Sequence, residues 1–356
     1  MRRPQTRIHR GLVGERSLVG SDYLSRAKLR QEYEAEIAPR TEAALRRVLE
    51  QVGLAPGSDM GTLKGFPCPP AIVRRRRGRE RSERGGQGGW SVPKSPWGQS
   101  RRAPHATMRV LDLGAGTGAA GRAIRGRFGE DVELVAVDRV PGPGILVADV
   151  LRGVRPAGVT GRFDLIVSAH LLNELGTRLD LDGRARLVAG WCRDLLEPDG
   201  TCIVIEPALR DTARDLLGVR DRLLVAGLRV TAPCFCQTAC PALAHERDWC
   251  HDSAGVLVAG RSRVDFSYLV LRQSCAGEVD PSRYRVVSDP IKDKGRLRFF
   301  ICGVAGRFTL MRLNRDRSSA NQALDQARRG DIVVLPNAPV QEGGIRVVAD
   351  TVVAIG

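Results

Sequence analysis

The stretch MRVLDLGAGTGAAGRAIRGRF, Met108 to Phe128, decides the fold. It reads as a short buried strand over Arg109–Leu113, a turn carrying Gly114, Gly116 and Gly118, and then a helix. Glycines let the backbone pass close to a ligand, and a helix N-terminus offers free N–H groups. A glycine pattern alone would serve a nicotinamide dinucleotide equally well. Two details separate the cases. Asp112 precedes the turn, where dinucleotide folds carry the first glycine of G-x-G-x-x-G, and VELVAVD ends a second strand on Asp138, placed to accept hydrogen bonds from ribose hydroxyls.

Working outward, ILVADV gives a third strand followed by Asp149, and FDLIVSAHLLNEL (163–175) a fourth with its following segment. GTCIVIEP (200–207) is a fifth strand, and an Arg- and Leu-rich helix runs from Thr212 to about Ala226. LRVTAPC makes a sixth strand and VDFSYLVLRQ (264–273) a seventh. The fold class is α/β, a doubly wound Rossmann-like sheet. Only eleven positions separate Asp138 from Asp149, too few for a full crossover helix.

Before this centre, residues 1–54 form an N-terminal helical region. Its first twenty residues are Arg-rich without the apolar core of a secretory signal; they could pass for a transit peptide, but read as a basic, disordered terminus. Ser21–Val52 is helical in character, with Ser21 or Asp22 as cap and Pro39 splitting it into two helices. Residues 55–107 mix Pro, Gly and Arg with no period, a flexible basic linker that includes the run Arg74–Arg77. The central domain covers 108–276. After Gly277, four short β runs predict a small C-terminal unit over 277–356, either a barrel of oligonucleotide-binding type or an open sheet.

Formal net charge is +16, and residues 1–107 hold 22 Lys and Arg against 10 Asp and Glu. Such an excess favours a polyanionic partner, nucleic acid above all. No run of about 18 uncharged apolar residues occurs, so no membrane helix is expected.

Four of the nine cysteines crowd into TAPCFCQTACPALAHERDWCHD (231–252), an insertion between the last two strands. So short a polar segment cannot fold on apolar burial alone, which points to a metal or cluster. Cys234, Cys240 and Cys250 offer three thiolates, and Cys302 in RFFICGVAG is the best distant fourth. Zinc sites usually show paired C-x2–4-C knuckles; irregular spacing with a remote ligand fits an iron–sulfur cluster better, zinc being the alternative. Cys236 is a spare thiol or alternative ligand, His245 or His251 could substitute in a zinc site, and Cys68, Cys192, Cys202 and Cys275 read as packing thiols.

LDLGAGTG, DLIVSAHLLNEL and VIEP, followed by PC-x5-CP, DWCH, FSYL and a late RGD at 329–331, resemble the methyltransferase-like family of mitochondrial small-ribosomal-subunit assembly factors and their bacterial relatives. The resemblance spans about residues 108–335. It implies a class I methyltransferase fold with an S-adenosylmethionine site at Asp112, Gly114, Gly116, Gly118, Asp138 and Asp149, the last beside the adenine. It also implies a four-iron four-sulfur cluster on Cys234, Cys240, Cys250 and Cys302, and binding to the small ribosomal subunit and its RNA. The chain departs at Cys236, where the family often has histidine. A monomer is expected, cytoplasmic in a bacterium or mitochondrial in a eukaryote. His170, Asn173 and Glu174 fall near where a methyl acceptor would sit, but core or capping roles suit them as well. No Asn/Asp-Pro-Pro-aromatic motif follows the fourth strand, and no catalytic base is identifiable. Methyl transfer to ribosomal RNA, non-catalytic RNA binding during assembly and a zinc-stabilised RNA-binding module are the three functional readings.

Overall fold

A computed structural model describes residues 6–54, 107–129, 132–274, 280–336, 338, 340–341 and 344–356. The Arg/Gly/Pro segment with Cys68 and Arg74–Arg77, and Cys275, lie outside the described residues. In chain order the helices are α1 (Arg7–His9), α2 (Ala27–Glu36), α3 (Ala38–Gln51), α4 (Ala119–Phe128), α5 (Leu171–Leu175), α6 (Leu181–Asp194) and α7 (Arg210–Val225). The first sheet uses β1 (Met108–Leu113), β2 (Val132–Asp138), β3 (Ile145–Val147), β4 (Phe163–Ala169), β5 (Leu196–Pro207), β6 (Arg229–Ala232), β7 (Asp252–Val258) and β8 (Arg261–Arg272).

Its order is β3-β2-β1-β4-β5-β8-β6, with β7 paired to β8. Strands β1 to β5 run parallel, and β8 lies antiparallel between β5 and β6. Side-chain alternation sends successive residues to opposite faces, so both faces of these apolar strands must be covered. Leu111, Ile166 and Val204 pack under α6 and α7, against Val188, Trp191 and Leu223. Val110, Val167 and Ile203 pack on the other face against Leu45, Val48 and Leu49 of α3 and Ile124 of α4. The α/β class is as the sequence predicts. Strand β7 is an addition: it makes a hairpin with β8 that the cysteine-rich stretch runs into.

The N-terminus departs from expectation. Rather than a disordered leader, residues 7–14 are helical, and Ile8 and Leu18 are buried with Tyr23, Leu24, Leu29 and Tyr33. This cluster is sealed by Ala119 of α4 and by Val140 of the β2–β3 connection. Its apolar residues are too scattered for a visible period, because they come from several short segments that pack on one another and on two distant residues. The connection Arg139–Gly144 holds no crossover helix, as its length requires; instead Arg30 of α2 donates to the Pro141 carbonyl (3.2 Å). Pro39 divides α2 from α3 as anticipated, whereas Ser21 and Asp22 do not cap α2, whose first residue follows an uncapped Arg26.

The second sheet comprises β9 (Arg283–Val286), β10 (Ile291–Asp293), β11 (Arg296–Gly303), β12 (Gly306–Leu313), β13 (Ile332–Val334), β14 (Ile345–Val347) and β15 (Ala354–Ile355). The path β14-β12-β11-β9-β13-β15 is open at both ends among the described residues, with β10 beside β11. Leu297, Phe299 and Ile301 alternate inward along β11 onto Val286, Leu310 and Val333. The two sheets meet at a buried ion pair, Arg285 to Asp252 at 2.5 Å, with both side chains almost fully enclosed. Asp252 also accepts from Gln51 of α3 (2.8 Å), and the Arg285 guanidinium lies 5.5 Å over the Tyr268 ring. Such a pair adds little net stability over an apolar substitute, but losing one partner costs about 3–5 kcal/mol, so it holds β7 against β9 where the two sheets meet.

Candidate functional site

The glycine-rich turn works because three glycines take left-handed backbone: Gly114 (φ 76°), Gly116 (φ 56°) and Gly118 (φ 79°). The Gly114 and Ala115 amides bond the Val137 carbonyl (2.9 and 3.0 Å), which folds the turn over the end of β2. There Asp138 accepts from the Gly116 amide through Oδ2 (2.8 Å) and from the Val140 amide through Oδ1 (2.8 Å). A side chain at Gly116 would come within 3.3 Å of Leu24.

Two joined hollows open beside this turn, enclosing about 510 and 430 Å³ of space that is partly open to solvent. Both are lined by Gly114, Asp138, Arg139, Leu171 and Glu174. The first adds Ala148, Asp149 and Leu151; the second adds Tyr23, Tyr33 and His170. The cleft thus sits at the carboxyl ends of β1 to β4, where the strand order reverses between β1 and β4, the position at which open α/β sheets receive ligands.

Of the sequence-predicted cofactor residues, Gly114, Gly116, Asp138 and Asp149 reach these walls. Asp149 also caps the short turn Val150–Arg152 by accepting from the Leu151 amide (2.9 Å). Gly118 starts α4, and Asp112 lies beneath the turn, 1% exposed, with neither carboxyl oxygen hydrogen-bonded. Burial, and then the nearby Asp138 charge, push Asp112 up to about 7; the Gly121 amide opposes this without closing to a hydrogen bond.

The segment after β4 is built by a residue whose role the sequence left unread. Glu206, buried at the end of β5, accepts from the amides of Leu172 (2.8 Å) and Asn173 (3.2 Å). It caps α5 from across the sheet, where His170 takes left-handed backbone and gives no side-chain cap. Burial pushes Glu206 up to about 8 and lowers His170 to about 4. Glu174 is raised to about 7 by burial, against the Tyr23 hydroxyl that donates to it (2.7 Å). Asn173 is buried and accepts from Arg16 (2.6 Å) and Thr212 (3.3 Å). Tyr23 and Arg16 were invisible as site residues, their partners Glu174 and Asn173 lying more than a hundred positions away.

The cysteine-rich loop is held by arginines of α7. Buried Arg220 donates to the Thr238 (2.9 Å) and Cys236 carbonyls, and Asp221 accepts from the Cys240 amide (3.0 Å). Arg214 gathers the His245 and Asp248 carbonyls (2.7 and 2.6 Å), while Arg307 of β12 bonds the Asp248 carboxylate (2.8 Å). These contacts fix the loop against α7 and β12. Burial and then the Cys234 thiol push Cys240 up to about 12, and the same two influences push Cys250 up to about 11. Cys302 on β11 is raised by burial first and then by Cys234, Cys250, Cys240 and Cys236. Burial works against the Arg220 cation, but Cys234, Cys240 and Asp221 hold it charged. Cys236 turns to the Thr238 hydroxyl (3.1 Å), and Cys192 and Cys202 are buried packing thiols. Among the described residues no three His, Cys, Asp or Glu side chains stand close enough to hold a single metal ion. No described helix is long and apolar enough to cross a membrane.

Residues 100–333 match the family described as mitochondrial small ribosomal subunit Rsm22. The chain belongs to the Rsm22 family. No curated protein matches it. Solved structures similar to part of it include the mitomycin 7-O-methyltransferase MmcR, at 16% identity and a TM-score of 0.30 over 47% of this chain and 49% of that one. Precorrin-6y C5,15-methyltransferase from Geobacter metallireducens gives 13% and 0.29 over 47% and 80%. TrmN from Thermus thermophilus gives 19% and 0.27 over 47% and 44%. The chain spans about half the length of the first of these, and likeness at that level carries no functional information. The Rsm22 assignment rests on the family match.

The buried carboxyls set a pH dependence. Asp112 titrates near 7 when folded but near 4 when unfolded, so the folded state binds the extra proton between these values. Its contribution to stability is present below about pH 4 and is lost as pH rises through about 7. Asp112→Asn is therefore expected to stabilise the protein at pH 8 relative to pH 5, by on the order of 2 kcal/mol. Thermal unfolding of both forms at the two pH values checks this, and an equal difference at both would refute the assigned shift.

Proposed function

We propose that this Rsm22-family protein binds S-adenosylmethionine in the cleft beside Gly114, Gly116 and Asp138 and acts on small-subunit ribosomal RNA, with an iron–sulfur cluster in the cysteine-rich loop. The observation that carries the cofactor reading is the pairing of Asp138 and Asp149 across one cleft at the sheet's switch point. Asp138 has each oxygen fixed by one amide and keeps lone pairs for ribose hydroxyls. Asp149 lies with Ala148, Val150 and Leu151 on the wall an adenine ring would face. The bound cofactor supplies a methyl group on a sulfonium; the protein's part is to hold a nucleophile in line with it and to exclude water. Glu174, on the segment positioned by the Glu206 cap, is a polar group of the cleft wall, with His170 beside it. The RNA part of the reading draws support from the net charge of +16 and from the family's ribosomal description.

The irregular spacing of the cysteines, with a remote fourth, is what favours a cluster over zinc; among the described residues no three His, Cys, Asp or Glu side chains are placed to hold a metal ion. Cys240, Cys250 and Cys302 each feel the Cys234 thiol, and Arg220, Arg285, Arg307 and Arg329 place positive charge near these cysteines, which suits an anionic centre. Bound there, a cluster ties the loop after β6 to β11 of the second sheet.

Tritium transfer from labelled cofactor to small-subunit particles tests the enzymatic reading; persistent absence of label with particle binding intact would leave a non-catalytic RNA-binding role. Protein purified without oxygen is expected to carry about four irons and four sulfides per chain, with most lost in Cys302→Ser. Zinc without iron or sulfide would overturn the cluster.

A further inference from the structure

The residues between α1 and α2 lie across the cofactor cleft and are fastened to its walls. Arg16 donates to Thr212 Oγ1 of α7 (3.0 Å) and to Asn173 Oδ1 of α5 (2.6 Å). Arg139, directly after β2, pairs with Asp22 (2.8 Å) and donates to the Gly20 carbonyl (3.1 Å). The Tyr23 hydroxyl donates to Glu174, and Leu24 lies over Gly116. Gly20, at φ 76°, lies so close that a side chain there would meet Thr177 Oγ1 at 2.6 Å and the Glu174 carbonyl at 3.3 Å.

Two further features mark this contact as more than packing. Arg16 and His170 are two of the three non-glycine residues in left-handed backbone among the described residues, at φ 58° and 63°. Conformations of that kind persist where the surroundings dictate them, and they gather at clamps and switch regions. In addition, the fastening is made by side chains. The strap holds only the single turn Tyr23–Ser25 of regular structure before an extended Arg26 leads into α2. The segment can therefore detach without unravelling a long helix or a strand, by breaking these side-chain contacts and withdrawing Leu18, Tyr23 and Leu24 from the apolar cluster they share with α2.

Asn173 precedes Glu174, which lines the cleft, and its carbonyl oxygen is taken by the chain's own guanidinium. We propose that Arg16–Leu24 is an internal strap: Gly20, Ser21, Tyr23 and Leu24 line the cleft, Arg16 anchors them to α5 and α7, and both cofactor exchange and acceptor entry require the strap to lift. This rests on the cofactor reading above. It makes the closed form one that holds cofactor and excludes acceptor, with an incoming partner replacing the Arg16 contacts at Asn173 and Thr212.

The test uses the full chain and S-adenosylhomocysteine as probe. Its release after rapid chase is compared in wild type and in Arg16→Ala combined with Tyr23→Phe. Losing these side-chain hydrogen bonds is expected to speed release about tenfold, with the circular dichroism spectrum unchanged. Hydrogen exchange of the wild-type amides of residues 17–25 gives a second reading that needs no variant, and it is expected to slow when the probe binds. Equal release from a folded double variant, or exchange at 17–25 indifferent to the probe, ends the strap while leaving the cofactor reading in place. Failure of every form to bind the probe removes both.

Discussion

The Asp138 carboxylate is the point on which the site depends. One oxygen takes the Gly116 amide and the other the Val140 amide, so a single side chain ties the glycine-rich turn after β1 to the connection after β2. Each bond is worth about 1.5–3 kcal/mol because the acceptor is charged. Left-handed glycines make the turn possible, and the Val137 carbonyl closes it from below. The short β2–β3 connection then leaves Val140 free to pack into the N-terminal cluster. That contact brings Tyr23 and Leu24 over the cleft.

Charge is handled differently in the two halves. Around the cleft, carboxyls are buried with few partners: Asp112, Glu174 and Glu206 are all raised by burial, and each is tolerated because it protonates rather than remaining an unpaired anion. Around the cysteine-rich loop the excess is cationic, with Arg220 and Arg285 enclosed beside thiols and Asp252. A buried guanidinium cannot shed its proton, so these arginines need anionic partners. Asp221 and Asp252 supply part of that requirement.

What could be read in the sequence was what is local. The strand, glycine turn and Asp138 declare themselves within thirty residues, through alternation and glycine placement that backbone sterics enforce. Asp149 and the apolar strands follow the same logic. The strap does not, because Tyr23 finds Glu174 across 151 positions and Arg16 finds Asn173 across 157. Neither end carries a pattern that names the other. Glu206 was hidden for a similar reason: a lone acid in an apolar strand gives no sign of the helix it caps. The convergence of Cys302 with the loop came from resemblance and density, and β9 and β10 are too short for alternation to reveal.

The central claim is that Asp138 and the glycine turn form a cofactor site, and calorimetric titration of the full chain with S-adenosylhomocysteine tests it most directly. The account predicts one molecule bound per chain, with affinity reduced at least tenfold in Asp138→Ala, as expected for removing charged hydrogen bonds to a ribose. Absence of heat and of binding by wild type, or equal affinity in the variant, would contradict it.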